Sequence, residues 1–468
     1  MNKSAFRGQK NINRYATHLS ANPAITIMLS FAAVIAIGTI LFLLPFTSKT
    51  GQGLSFLNAL FEATSAICVT GLIVVDTVTH FNLSGQIILL VLIQIGGLGI
   101  MILTFFTIFV VRRQVSLANK MLLSYMLSED DTGQLYEALR IIVITTFIIE
   151  ACGAFFLFIG FVPQLGFSAK TFWYAIFHAV SGFCNAGFAL FPDSLVSFSN
   201  NPLLLLTIAF LIILGSLGFG VLNNIKEWGL FHNSFFKKHI KNKSRIFISL
   251  NTKIVLMGTG ILLLFGTLLF YGLEFTNSMK DLPTWQQYLA AFFQSVTMRT
   301  AGFNSISYEN LHTGTYLFLI ILMFIGAGSG GTGGGVKINT IAVIFAALKS
   351  FAHGEKKIHL YKYEVDTSRV IQAFIVFSTA IIAVLFGTLI LSFTENKPLI
   401  TIFFEVVSAM GTVGVSAGIT DSLSPLGRIV IIMLMFWGRI GALTMLSASI
   451  VREDPVKISW PQADISIG

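Results

Sequence analysis

The chain has 468 residues, 54 % of them hydrophobic and only 11 % charged, with 45 phenylalanines and a formal charge of +9. An average soluble domain carries roughly 25 % charged residues, so a water-soluble fold is excluded and an integral membrane protein is expected. Only three cysteines (Cys68, Cys152, Cys184) exclude a disulfide scaffold, and basic residues scattered between apolar stretches exclude nucleic-acid binding.

In chain order, the apolar stretches near the roughly 20 residues a spanning helix needs are 25–46, 83–111, 141–162, 203–222, 254–273, 315–348, 370–393 and 429–450. The first lacks the small-residue cleavage pattern of a signal peptide and is expected to be retained. Eight spans put both termini on one side. Most of the 30 basic residues fall in the N-terminal tail, in the loops 112–140, 226–253 and 349–369, and in the tail from 452. The opposite connections hold few, among them Lys49, Lys170, Lys280 and Lys397. An excess of Lys and Arg marks the cytoplasmic side, so both termini are expected there, in a multi-pass protein of the cell membrane.

A fourfold internal repeat underlies this pattern. The segments FEATSAICVTG (61–71), FHAVSGFCNAG (177–187), FFQSVTMRTAG (292–302) and FEVVSAMGTVG (404–414) align without gaps, eleven residues each from Phe to Gly. Their closing glycines, Gly71, Gly187, Gly302 and Gly414, lie 116, 115 and 112 residues apart. An acidic residue follows each (Asp76, Asp193, Glu309, Asp421), and a glycine cluster recurs in the next span from Gly96, Gly215, Gly326 and Gly438. The stretch before each closing glycine is apolar but has the length of a re-entrant helix. Ser55, Thr171 and Thr284 are candidate N-caps for three of them. The expected fold is an all-α membrane protein: eight transmembrane helices in four span–pore-helix–filter-loop–span repeats with pseudo-fourfold symmetry. The expected plan is a cytoplasmic N-terminal tail (1–23), repeat 1 (24–111), loop and repeat 2 (112–222), loop and repeat 3 (223–348), loop and repeat 4 (349–450), and a C-terminal tail (451–468).

Irregular backbone survives inside a bilayer only where it is buried or lines a water-filled cavity. Four such returns around one axis can replace the water shell of a cation with carbonyl oxygens. The candidate selectivity filter is Cys68, Val69, Thr70 and Gly71; Cys184, Asn185, Ala186 and Gly187; Arg299, Thr300, Ala301 and Gly302; and Gly411, Thr412, Val413 and Gly414. The ion would sit on the backbone carbonyls of Val69, Thr70, Asn185, Ala186, Thr300, Ala301, Thr412 and Val413. Glycine tolerates a positive φ at the narrowest point, helix C-termini carry partial negative charge, and the four acids beyond would gather cations at an outer mouth. The Arg299 side chain is expected to point away from the axis. Glu62, His178 and Glu405, at matching helix positions, read as hydrogen-bonding supports. Cys68 and Cys184 read as small packing residues rather than metal ligands.

The sixth span is interrupted by GAGSGGTGGGVK (326–337). Seven glycines in ten residues, each costing about 1 kcal/mol relative to Ala in a helix, must break it. Its G-x-G-x-x-G (Gly326, Gly328, Gly331) lacks the βαβ context of a nucleotide loop. Arg439, central in the last span, costs at least ~2.5–3.5 kcal/mol there and is a functional candidate. Glu150 and Lys337 are buried charges without an assignable partner.

The unit of span, pore helix and single filter glycine, with TSAICVTG, SGFCNAG, TMRTAGFN and SAMGTVGVSAG, resembles the Trk/Ktr/HKT superfamily of potassium transporters, and most of all its bacterial Ktr membrane subunits. The likeness covers residues 24–450. It implies potassium uptake coupled to or stimulated by sodium, with K⁺ as the transported ion, Na⁺ as a second candidate and no cofactor in this chain. In that superfamily a glycine in all four loops goes with potassium preference, and serine in the first loop goes with sodium permeation in some plant relatives. The loops lack TVGYG, so selectivity would rest on fewer carbonyl layers than in potassium channels. The resemblance also implies that Gly326, Gly328, Ser329, Gly330, Gly331, Thr332, Gly333, Gly334 and Gly335 form a gate with Arg439, which would anchor the loop and repel cations while the path is shut. It further implies a homodimer seated on a cytosolic regulatory ring that binds ATP or ADP, docked on the basic loops. Two rival readings are an alternating-access carrier of another cation or small solute, which usually shows broken helices in paired halves, and a membrane enzyme, for which there is no HExxH, nucleophile motif or acidic metal cluster.

Overall fold

A computed structural model describes residues 23–99, 135–232, 248–355 and 357–449. The predicted loop 112–140 lies mostly outside the described residues, as do most of 226–253 and both tails.

Four long apolar helices carry the architecture: α1 (Pro23–Leu43), α5 (Leu135–Leu165), α9 (Leu250–Glu274) and α13 (Thr367–Thr394). Each is long and apolar enough to cross a membrane. Large apolar side chains stand exposed on them, Leu264 at 65 % and Phe386 at 62 %, as expected of a surface whose solvent is lipid. After each comes a short helix: α2 (Phe56–Ile67), α6 (Ala169–Cys184), α10 (Thr284–Thr297) and α14 (Leu399–Gly411). A further helix closes each unit: α4 (Leu83–Leu98), α7 (Pro202–Leu217), α11 (Thr313–Phe324) and α15 (Pro425–Ile440). The remaining elements are α3 (Thr77–His80), α8 (Phe219–His232), α12 (Ile338–Ala352), α16 (Ala442–Ser449), two 3-10 turns (Pro45–Thr47 and Val196–Phe198) and a hairpin of β1 (His359–Leu360) with β2 (Tyr363–Glu364).

Helix starts follow cap chemistry. Asn82, Ser168, Asn201, Ser249 and Ser424 each accept a backbone N–H three residues on, and Pro202 and Pro425 fill the next position with no donor to lose. The expected caps need correcting at two sites. Thr171 lies inside α6, its N–H taken by Ser168 Oγ at 3.1 Å, and Pro283, not Thr284, precedes α10. Ser55 does occupy the N-cap of α2, without a side-chain bond.

The closing helices of units 1, 2 and 4 do not run as continuously as their apolar sequence suggests. They end at Gly99, Gly218 and Gly441, with φ of 86°, 93° and 87°, a conformation that costs other residues roughly 1–2 kcal/mol. At Gly218 the chain turns by 97° into α8. The break expected only at 326–335 thus recurs in units 2 and 4, and the described part of unit 1 ends at the equivalent Gly99.

Packing closes the four units into a cycle. Each short helix lies on the long helix before it, α2 on α1, α6 on α5, α10 on α9 and α14 on α13. Each closing helix lies on the short helix of the next unit: α4 on α6, α7 on α10, α11 on α14, and α15 back on α2. Within units 1, 2 and 4 a recurring glycine also lets the closing helix approach the short helix of its own unit. A Cβ on Gly96, Gly215 or Gly438 would strike the carbonyl oxygen of Ile67, Phe183 or Met410, each near the end of its unit's short helix.

Candidate ion pathway

The four short helices finish at the same place, and the backbone beyond them repeats one conformation. Val69, Asn185, Thr300 and Thr412, each two residues before a closing glycine, have φ of 55°, 59°, 71° and 49°. The closing glycines have φ of 93°, 70°, 83° and 92°. A non-glycine residue in this region costs about 1–3 kcal/mol and persists only where its surroundings over-determine it. Four occurrences at one repeat position mark a built feature.

The closing glycines meet one another in cyclic order. A Cβ built on Gly71 would run into the carbonyl oxygen of Ala186, and one on Gly414 into that of Thr70. One on Gly187 would lie 2.8 Å from the Ala301 oxygen, and one on Gly302 2.7 Å from the Val413 oxygen. Each glycine therefore faces the carbonyl preceding the next glycine around the ring, with no room for a side chain. All twelve preceding candidates (Cys68, Val69, Thr70, Cys184, Asn185, Ala186, Arg299, Thr300, Ala301, Gly411, Thr412 and Val413) are buried, Arg299 at 2 % exposure. Arg299 Nε and Nη2 have no hydrogen-bond partner among the described residues. The C-terminal ends of α2, α6, α10 and α14 all lie at the ring, where their partial negative charge favours a cation.

Side chains behind the ring hold the returning strands. Glu62 Oε1 accepts the N–H groups of Val74 and Val75 at 2.9 and 3.2 Å. His178 Nε2 accepts from Leu190 N–H at 3.3 Å, and Glu405 accepts from the hydroxyls of Ser416, at 2.9 Å, and Thr420. Ser65 and Ser408 accept the N–H of Gly71 and Gly414 at 3.1 Å. In unit 3 the equivalent tether is Gln294, which donates to Ser305 Oγ at 3.0 Å and accepts from Tyr308. Its buried neighbour is Phe293, not Phe292, and Ala301 N–H bonds back four residues to Thr297 where the other units span five. The gap-free alignment is therefore corrected: unit 3 is one residue shorter between helix and glycine, and the Phe292–Phe293 doublet hides the shift.

The glycine segment 326–335 lies against the same ring. A Cβ on Gly333 would collide with Thr300 Oγ1 and sit 3.2 Å from the Asn185 amide, and one on Gly334 would collide with Thr412 Oγ1. The loop is docked by its backbone. Gly328 N–H donates to Ser216 O at 2.9 Å, Thr332 N–H to Gly215 O at 3.0 Å, and Gly326 N–H to Val336 O at 2.8 Å. Arg439 joins it to unit 1, donating to the carbonyls of Thr332 and Gly96 and, at 3.4 Å, of Gly97. Hydrogen bonds to a charged group contribute about 1.5–3 kcal/mol each, enough to offset the cost of the guanidinium at this depth. The sequence left Lys337 without a partner; its ammonium donates to the carbonyls of Gly333 and Gly334 at 2.5 and 3.3 Å, within its own loop. Glu150, the other orphan, accepts from Gln94 at 3.0 Å.

Two of the four acids beyond the glycines have local duties as well. Asp76 caps α3 through Thr79 N–H at 2.7 Å and Asp193 accepts from Ser197 N–H at 2.8 Å, while Glu309 and Asp421 are exposed. Among the described residues no group of three or more His, Cys, Asp or Glu could hold a metal ion, and Cys68 and Cys184 are free buried thiols.

A family model described as TrkH, cation transport protein, matches residues 1–457. The chain belongs to that family. It is therefore a multi-pass membrane transport protein of the TrkH family rather than an enzyme. Among relatives, the Ktr system potassium uptake protein B of Vibrio alginolyticus is 42 % identical over 446 residues, covering 94 % of each chain. That of Bacillus subtilis is 36 % identical, covering 95 % of this chain and 97 % of its own. The potassium/sodium uptake protein NtpJ of Enterococcus hirae is 34 % identical, covering 96 % and 97 %. The crystal structure of the potassium transporter TrkH from Vibrio parahaemolyticus superposes with a TM-score of 0.71 over 90 % of this chain and 83 % of that one, at 19 % identity. That likeness concerns the TrkH fold.

Proposed function

We propose that this TrkH-family chain takes up potassium through the ring formed by Gly71, Gly187, Gly302 and Gly414. The carbonyls of Thr70, Ala186, Ala301 and Val413, with those of Val69, Asn185, Thr300 and Thr412 one residue earlier, replace the ion's hydration shell. The observation that carries this reading is the cyclic contact of glycine with neighbouring carbonyl. A ring of oxygens at the ends of four helices favours a cation, and a ring without side chains lets backbone oxygens alone define its width. The names of the Vibrio and Bacillus relatives favour potassium, and that of the Enterococcus relative favours sodium as a coupled or stimulating ion.

In the same reading, 326–335 is the gate, shut in this conformation, with Arg439 as its latch and as a positive charge that repels cations beneath the ring. The domain plan is four pore repeats of eight spans with both termini cytoplasmic, supported by the distribution of Lys and Arg. A homodimer and a separate nucleotide-binding regulatory subunit complete the assembly, since the relatives are named as components of a Ktr system. Packing in a single four-membered cycle speaks against a carrier of two rocking halves. Expressed in a bacterium lacking its own potassium uptake systems, together with a Ktr regulatory subunit, the chain restores growth at micromolar potassium. Failure to grow there, with the protein present in the membrane, refutes the reading.

A further inference from the structure

Away from the ring, α9 and α12 splay apart to leave a groove of about 800 Å³. Its walls are apolar, among them Ile254, Met257 and Ile261 of α9 and Ile341 and Phe345 of α12. Its far end is polar, where Lys349, Ser350, Glu355, His359 and Tyr361 line it. The β1–β2 hairpin closes that end, with Tyr361 Oη 2.8 Å from Met257 Sδ. On the orientation proposed above, this end meets the cytoplasmic leaflet. An apolar slot between a spanning helix and a shorter apolar one, ending in Lys349, His359 and Tyr361 beside an internally bonded Glu355, matches a lipid in both halves, acyl chain and headgroup.

The charges at the mouth select the headgroup. The segment 349–369 carries five basic residues (Lys349, Lys356, Lys357, Lys362, Arg369) against three acids (Glu355, Glu364, Asp366). All three acids are engaged internally. Glu355 accepts from Ser350 Oγ at 3.0 Å and lies 3.5 Å from His359 Nδ1, Glu364 pairs with Lys357 at 2.8 Å, and Asp366 caps α13 at Ser368. The Lys349 ammonium has no partner among the described residues and remains to meet a phosphate.

The opposite end of the groove is the gate loop itself. Ile325 and Ile338 line the groove and flank 326–335 on its two sides. Ile325 bridges Val336, Ile338 N–H donates to Ala327 O at 3.3 Å, and Lys337, the N-cap of α12, holds Gly333 and Gly334. Where α9 passes nearest α12, a Cβ on Gly258 would lie 2.5 Å from Ile338 Cγ2. Whatever occupies the groove therefore bears on α12 and, through it, on the loop. We infer that the groove between α9 and α12 binds one anionic phospholipid of the cytoplasmic leaflet, its acyl chain along Ile261, Ile341 and Phe345 and its phosphate on Lys349, and that this occupancy sets how readily the gate loop moves.

The inference rests on the proposed pathway for its effect on flux but not for binding, so the two are measured apart. The full chain is purified in mild detergent and its retained lipid quantified by phosphorus and mass spectrometry, then reconstituted in phosphatidylcholine vesicles with or without about a third phosphatidylglycerol. The wild type should retain about one phosphatidylglycerol per chain and carry ion several-fold faster in the anionic vesicles. Ala342→Trp, which fills the groove, should lose the lipid and the stimulation, while Lys349→Glu should lose the preference for anionic over neutral lipid; both should keep the rate seen in phosphatidylcholine alone. Equal lipid retention in all three proteins overturns the inference. So does conversion of a dimer to a monomer by Ala342→Trp, which would assign the groove to a second copy. Loss of transport by every protein in every vesicle refutes the proposed pathway, and bound lipid then still decides the site.

Discussion

Replacing Gly414 or Gly71 by serine should reduce potassium uptake at low external potassium by at least tenfold and raise sodium entry relative to potassium. At φ of 92° and 93° a Cβ costs roughly 1–2 kcal/mol, and at these two positions it also drives into the carbonyl oxygen of Thr70 or Ala186. That oxygen must move off the axis, so the ring loses a ligand as well as its shape. A transition-state penalty of about 1.4 kcal/mol is already a factor of ten in rate. Gly187→Ser and Gly302→Ser should act in the same direction but less, because the approaches there are 2.8 and 2.7 Å. Uptake of rubidium and sodium by cells expressing each variant, normalised to protein in the membrane, measures this ranking. Four variants indistinguishable from wild type would contradict it.

Removal of 329–334 should have the second largest effect, in the opposite direction: flux rises, because the backbone packed against Thr300 and Thr412 is withdrawn. Arg439→Ala should move flux the same way. The loop is held by several neutral backbone bonds worth about 0.5–1.5 kcal/mol each, and Arg439 adds charged ones worth roughly 1.5–3. Loss of about 2 kcal/mol from the shut state shifts the balance between shut and open by some thirtyfold, taking tenfold per 1.4 kcal/mol. The expected readout is faster rubidium efflux from loaded vesicles and loss of dependence on the regulatory subunit. An unchanged rate in the shortened protein means the loop does not limit permeation.

The repeat was legible in the sequence because its physics is local. A glycine at φ near 90° admits few substitutes, so four of them at nearly constant spacing stand out, and the structure brings all four together. The glycine clusters at Gly96, Gly215 and Gly438 were visible for the same reason, although their purpose, contact with the end of a neighbouring helix, was not. Other features were hidden by ambiguity of residue type. The breaks at Gly99, Gly218 and Gly441 sit inside unbroken apolar runs, since lipid is as apolar as the protein interior and no polar residue need mark the end of a helix buried against protein. The doublet Phe292–Phe293 allowed two registers, which burial and the Ala301–Thr297 hydrogen bond separate. Lys337 and Arg439 find backbone carbonyls as partners, and a carbonyl carries no residue identity to read. Gln294 took the support role of Glu62, His178 and Glu405 one position late, and the pairing with Ser305 was the signal that would have found it.

The central claim is that a dehydrated cation rests among the carbonyls of Thr70, Ala186, Ala301 and Val413. Anomalous diffraction from crystals of the protein soaked in thallium, a heavy stand-in for potassium, addresses it most directly. The account predicts an anomalous peak on the axis of the four glycines, within direct coordinating distance of those oxygens and lost when sodium replaces thallium. Peaks confined to the outer carboxylates or the lipid-facing surface, with none at the ring, would contradict it.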